Sequence, residues 1–220
     1  LDTKENNERF FAGMPNIPKA KKDSMAIYPL FLQHIMYSLT TKGKAAIVVP
    51  TGFITAQSGI ERKIREQMVE RKMLRGVVSM PSNIFATTGT NVSILFLDKE
   101  NSKGDIVLMD ASKLGTTVKE GKNQKTLLSP QEEDYIIDTF NNHEAKEDFS
   151  VVVSYEDIKA KNYSLSAGQY FEVKIEYTDI TAKEFEDKMK TFETNLSELF
   201  KESKTLEMEI QNNLKGLRYE

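Results

Sequence analysis

Ala45-Ala46-Ile47-Val48-Val49-Pro50 is the stretch on which the fold turns. It is a short, unbroken apolar run set between Gly43 and a terminal proline. Such a run predicts a strand buried on both faces, of the kind found inside a parallel sheet. Leu74-Arg75-Gly76-Val77-Val78-Ser79-Met80 predicts a second strand, residues 91–97 a third, and Ile106-Val107-Leu108-Met109 a fourth. Upstream, Met25, Ile27, Leu30, Phe31, Ile35, Met36 and Leu39 fit a well-buried helix of about four turns. Asp23 or Ser24 can cap its start, and Gly43 suits its end. Between the first two strands, residues 51–58 read as a turn-rich loop. Gly59 to Lys72 then reads as an amphipathic helix with Ile60, Ile64 and Met68 on one side. About ten residues join the second strand to the third, too few for a helical crossover, so that pair is antiparallel. The fold class expected is α/β.

Outward from this centre the signals change. Residues 1–23 read as a loop, with Gly13, Pro15 and Pro18. From residue 112 the pattern weakens until Ser129-Pro130-Gln131-Glu132, a capping-box layout with proline at the first helical position. That helix carries Tyr135, Ile136, Ile137 and Phe140; residues 149–153 read as a short strand and 154–178 as irregular. From Thr181 to Leu217 the period is seven. Phe185, Phe192, Leu199 and Leu206 form one row, and Met189, Leu196, Ser203, Ile210 and Leu217 the other. This is a heptad seam interrupted by Ser203 and Asn213, which predicts a long helix that pairs with another helix. The expected organisation is 1–112 for the α/β part, 113–178 for an α+β extension and 179–220 for the assembly helix.

Composition excludes several classes. The chain has 220 residues, 39% hydrophobic and 29% charged, with a net charge of −3. It is not a globally basic nucleic-acid binder, so any DNA contact must come from a local patch. With no cysteine, thiolate zinc sites, Fe–S clusters and thiol nucleophiles are excluded; with two histidines, so is a multi-histidine metal site. No apolar run approaches the roughly 18 residues of a membrane span. No membrane partner and a cytoplasmic location are expected. The chain opens on Leu1 rather than Met, as expected of a piece of a longer polypeptide.

No catalytic constellation stands out. His34 reads as an ordinary helix residue and His143 as a surface residue beyond a helix end. No phosphate-cradling glycine loop occurs. The informative feature is the pair of loops that leave the strands, because ligands of open α/β sheets sit at strand carboxyl ends. These loops begin Pro50-Thr51-Gly52-Phe53 and Met80-Pro81-Ser82-Asn83-Ile84-Phe85. Phe85 reads either as a loop aromatic tucked back on the core or as a stacking platform for a planar group.

The run Tyr28-Pro29-Leu30-Phe31-Leu32-Gln33-His34-Ile35, followed by Lys42 to Pro50, resembles adenine-N6 DNA methyltransferases. More closely, it resembles the modification (M) subunit of type I restriction-modification systems. Residues 81–95, from Pro81-Ser82-Asn83-Ile84-Phe85 through Gly89 to Leu95, match a turn and strand of that family, and Asp110-Ala111-Ser112 and Asn162-Tyr163-Ser164-Leu165-Ser166 resemble its downstream signposts. The resemblance covers about residues 8–172. It implies the C-terminal half of a class I, Rossmann-like methyltransferase sheet ending in an antiparallel strand, then an α-rich extension and a long C-terminal helix.

The resemblance also implies chemistry: methyl transfer from S-adenosylmethionine to adenine N6 in DNA. The partners would be DNA, a specificity (S) subunit and, indirectly, a restriction (R) subunit. By resemblance Phe85 stacks on a flipped base and Phe31 packs against the cofactor's adenine ring; the plain reading of Phe31 is helix core. Lys19, Lys21 and Lys22 would meet DNA phosphates, or form a solvated charge run. Phe185, Phe192, Leu196, Leu199, Leu206 and Ile210 would form the subunit interface. The family's glycine-rich cofactor turn and its Asn-Pro-Pro-Phe tetrapeptide have no match in this sequence. The 220 residues alone are therefore expected to be inactive, and no catalytic or metal-binding residue is assigned. The alternative is a helix-pairing assembly module whose α/β part has no catalytic role.

Overall fold

A computed structural model describes residues 4–14, 27–85, 89–102, 104–121, 123–172 and 180–216. The helices are α1 (Lys4–Arg9), α2 (Tyr28–Ser38), α3 (Gly52–Thr55), α4 (Gly59–Glu70), α5 (Pro130–Asn141), α6 (Tyr155–Ala160) and α7 (Ala182–Gly216). The strands are β1 (Lys44–Pro50), β2 (Leu74–Ser79), β3 (Val92–Asp98), β4 (Ile106–Asp110), β5 (Thr116–Glu120), β6 (Asn123–Leu127) and β7 (Ser150–Val153). The chain divides into two units, Leu1–Glu172 and Val173–Glu220.

In the first unit five strands form a mixed sheet in the order β1-β3-β2-β4-β7. β3 runs antiparallel to both β1 and β2, β4 is parallel to β2, and β7 is antiparallel to β4. The carboxyl ends of β1, β2 and β4 therefore lie at one end of the sheet. The antiparallel join of the second and third strands is as the short connection required. β7 closes the sheet from within the stretch read as an extension.

Alternation along the strands sorts residues to two cores. Val77, Ile106 and Leu108 face a large core with Leu32, Met36, Ile64 and Met68 from α2 and α4. Val78, Val107 and Met109 face a smaller one closed by Ile136 and Phe140 of α5. At Gly76 the ring of Phe140 lies directly on the strand: a Cβ there would sit 2.5 Å from Phe140 Cε2 and 2.6 Å from the Val107 carbonyl oxygen.

Several expectations are corrected. β1 is an edge strand, not one buried on both faces: Ala45, Ile47 and Val49 face the core while Ala46 and Val48 are exposed. A strand of small and β-branched residues fits either place. α2 has three turns, and its buried face is Pro29, Leu32, Gln33 and Met36. Ile27 and Phe31 lie outside it and are exposed. Gln33 decides this rotation. Its carbonyl accepts the Ala12 N–H at 2.7 Å and its amide donates to the Gly13 carbonyl at 3.1 Å, tying residues 4–14 onto α2. α1, α3, α6 and the β5–β6 hairpin arise in stretches read as loop or irregular. On α5, Ile137 is exposed and Thr139 buried. His143 is half-buried rather than at the surface, with burial and the nearby Arg75 holding its imidazole below the usual range.

Among its described residues the second unit consists of the helix α7. Thr181 and Glu184 form a reciprocal cap: the Glu184 carboxylate accepts from the Thr181 N–H and hydroxyl, both at 2.8 Å, and Thr181 Oγ1 accepts the Glu184 N–H at 3.3 Å. The helix then runs 35 residues, as the heptads required.

Gly76→Ala should lower the stability of the first unit by about 1–3 kcal/mol through overpacking, read from the urea midpoint. Trimming Phe140 alongside it should not restore the midpoint, because the Val107 carbonyl stays in the way.

Candidate functional site

The site is built at the carboxyl ends of β1 and β2, where two loops leave the sheet side by side. Three hydroxyls cross-brace their roots. Ser93 of β3 is fully buried, and its Oγ lies 3.2 Å from Thr51 Oγ1 and 3.4 Å from Ser79 Oγ. Backbone bonds add to this: Thr51 N–H donates to the Asn91 carbonyl at 3.0 Å, and Met80 N–H to the Val92 carbonyl at 2.9 Å. β4 joins the same end, with the Ala111 N–H on the Ser79 carbonyl at 2.9 Å.

Beyond its root, the second loop turns at Asn83, whose φ is +55°. Asparagine tolerates this left-handed backbone better than most residues. The Asn83 carbonyl accepts the Thr126 N–H of β6 at 2.9 Å. The loop is thus held from behind, and Phe85, two residues on, is 47% exposed. Of the two readings of Phe85, tucking into the core does not describe this ring. Phe31, on α2, is 60% exposed, so helix core does not describe it either. Neither ring belongs to the aromatic pairs of the described residues, Tyr28–Phe53, Phe96–Phe140 and Tyr135–Phe149. Lys19, Lys21, Lys22, Asp23 and Ser24 lie outside the described residues. His34 is exposed, with Nδ1 3.5 Å from Ser38 Oγ.

The first loop, 51–58, is anchored by Arg65 of α4, which is fully buried. Its guanidinium donates to the carbonyls of Phe53 and Ala56 and, at 2.8 Å, to that of Tyr163. Burial pushes its pKa down to about 10, helped by Arg62, so it stays charged at neutral pH. The 162–166 stretch closes over this anchor. Leu165 N–H donates to the Ile54 carbonyl at 3.0 Å, Asn162 Nδ2 to Gln57 Oε1 at 2.6 Å, and Arg62 to Asn162 Oδ1 at 2.8 Å. Asn162 and Tyr163 both hold positive φ, +53° and +58°, a strained pair that such a set of bonds can sustain. Sequence reading missed Arg65. The available signal was an arginine on the apolar face of an amphipathic helix, between Ile64 and Met68.

On the second unit, Phe185, Phe192, Leu196, Leu199, Leu206 and Ile210 are all at least half exposed along α7. Among the described residues no group of histidines and carboxylates could hold a metal ion, and no helix is long and apolar enough to cross a membrane.

A family model of N-6 DNA methylases matches residues 2–179. The methylase subunit of the type I restriction enzyme MpnII from Mycoplasma pneumoniae is 33% identical over 182 residues, covering 79% of this chain and 33% of the relative. That of HindI from Haemophilus influenzae is 28% identical over 201 residues, covering 86% of this chain and 43% of the relative. The chain spans less than half the length of either. The crystal structure of a type I restriction-modification methyltransferase subunit from Streptococcus thermophilus shares its fold, with a TM-score of 0.59 at 24% identity, over 73% of this chain and 36% of that one.

Arg65→Met should remove three carbonyl partners at once and lower stability by about 3 kcal/mol. Amide exchange should rise first at residues 53–57 and 162–166, the segments that the guanidinium joins.

Proposed function

This chain belongs to the N-6 DNA methylase family, and from that premise we propose that it is the later half of the catalytic domain of a type I M subunit, which methylates adenine N6 in DNA. The observation that carries the reading is Phe85: an exposed ring on a braced loop at the carboxyl end of the sheet. An adenine amino group cannot be reached inside a duplex, so the base must leave the stack. A ring that takes over stacking contributes about 1–3 kcal/mol. Phe85 supplies that face, and polar residues of the same loop, Ser82, Asn83 and Asn91, offer donors and acceptors to a base edge.

The open edge of β1 supports the half-sheet part of this reading. Its seven residues pair with β3 on one side, and among the described residues no strand pairs with its other side. A long apolar edge invites a further strand. In a Rossmann-like sheet the remainder of the domain pairs here. S-adenosylmethionine supplies the methyl group when bound to the complete protein. The residue of this chain that fits it is Phe31, whose exposed ring can cover an adenine face.

The second part of the proposal concerns assembly. An apolar stripe the length of α7 is unfavourable in water, at about 25 cal/mol per Å². In this reading the stripe packs on a helix of the S subunit, and the R subunit joins through the resulting complex. Ser203 and Asn213 interrupt the stripe, which disfavours a uniform homodimer and suits a partner with matching polar positions.

In the complete protein, Phe85→Ala should slow methylation by about ten- to a hundredfold while leaving the melting temperature unchanged. A parental rate overturns the stacking role. Leu199→Glu with Leu206→Glu should abolish co-purification with the S subunit and leave the melting transition of the α/β unit in place. Normal stoichiometry in that variant removes α7 from the interface.

A further inference from the structure

The β5–β6 hairpin is unused in the reading above. It forms a two-stranded sheet of its own, apart from the five-stranded one, and such ribbons are marginal in water unless something holds them. This one is held at its base. Thr126 is buried, its N–H bonds to the Asn83 carbonyl, and its Oγ1 lies 3.4 Å from Thr117 Oγ1. Gly115, at φ +84°, donates its N–H to Glu132 Oε1 at 2.7 Å. A Cβ at Gly115 would sit 2.7 Å from Thr126 Cγ2, so the approach is close. Away from the base the ribbon is open: residues 116–119, 121, 123 and 124 are exposed.

Its charge differs from that of the chain. Residues 113–125, which take in the three residues that lead into the ribbon, carry Lys113, Lys119, Lys122 and Lys125 against the single acid Glu120, in a chain of net charge −3. Lys113 and Lys119 are exposed; Lys122 lies outside the described residues. Thr116, Asn123 and Gln124 add neutral hydrogen-bonding groups on the open part. A charge run on a surface is often only solvated. Here the placement argues otherwise, because the ribbon is rooted, through one backbone bond, on the loop that carries Phe85.

We propose that the β5–β6 ribbon is a DNA-backbone contact, with Lys113 and Lys119 neutralising phosphates beside the base that Phe85 receives. This rests on the reading of Phe85 as a flipped-base platform. The Thr126–Asn83 bond would then set the distance between backbone grip and base.

The test uses the complete M subunit assembled with its S subunit and a duplex carrying the target site. Dissociation constants are measured across a sodium chloride series for the parent and for Lys113→Gln with Lys119→Gln. Each lost phosphate contact lowers the slope of log K against log salt by about 0.9. The slope of the double variant should therefore fall by about 1.8, at an unchanged melting temperature. An unchanged slope overturns the proposal. Independently, a photo-crosslinking residue in place of Val118, which is exposed midway along β5, should capture DNA. Capture of a protein subunit alone overturns the proposal and makes the ribbon a protein contact. If the parent complex methylates adenine while the slope does not move, only the ribbon's role fails. If the parent complex does not methylate adenine, the reading of the site fails and the ribbon's role with it.

Discussion

The buried guanidinium of Arg65 is the interaction on which the first unit depends. Burying an unpaired charge is prohibitive, so the group persists inside only because its donors are satisfied. Its partners are backbone carbonyls of the loop after β1 and of Tyr163, nearly a hundred residues further along the chain. One side chain thereby makes the folding of the first loop conditional on the closing of the last segment. The two left-handed residues Asn162 and Tyr163 are unfavourable alone; the bonds to Arg65, Arg62 and Gln57 hold them.

The same logic of bracing from behind governs the other loop. Ser93 links the roots of both loops by hydroxyls, and Thr126 holds Asn83 by a backbone bond. None of these contacts involves the face that Phe85 presents. The stretch up to Phe85 is therefore fixed without covering its own aromatic ring. Ordering a loop normally proceeds by packing its apolar residues. Here hydrogen bonds carry that role, and the ring stays open.

Sequence periodicity located β2, β3, β4, α4, α5 and α7, because each has a strong local pattern: an apolar run, an i, i+3, i+4 face or a heptad. It located β1 but not its one-sided burial, and it missed the rotation of α2. Both errors have one physical source. Whether Val48 and Phe31 are covered depends on what else packs against them, and local spacing carries no such information. Gln33 shows the other side: a buried amide turned α2 toward residues 4–14, which a count of apolar residues would place outside. The β5–β6 hairpin was legible in principle, from the β-branched run Thr116-Thr117-Val118 and from Gly121, but its strands lack an apolar face and so gave no alternation. At the site, Phe85 was legible from its place after a strand. Arg65 showed only as an arginine on an apolar helix face, and its partners did not show, because they are backbone carbonyls, which every residue possesses.

Two of the exposed apolar surfaces, the α7 stripe and Phe85, differ in kind, and the difference bears on the proposed function. On α7 the apolar groups recur at heptad spacing, which in the proposed reading is met by another long apolar stripe. At Phe85 a single exposed ring follows the polar Ser82 and Asn83, which in the proposed reading suits a group planar on one side and polar at its edge. A nucleobase satisfies that description; an aliphatic surface does not. The two surfaces therefore need not compete for one partner. A long helix can take a protein subunit while the sheet end takes a base, and each surface can be altered without changing the chemistry of the other.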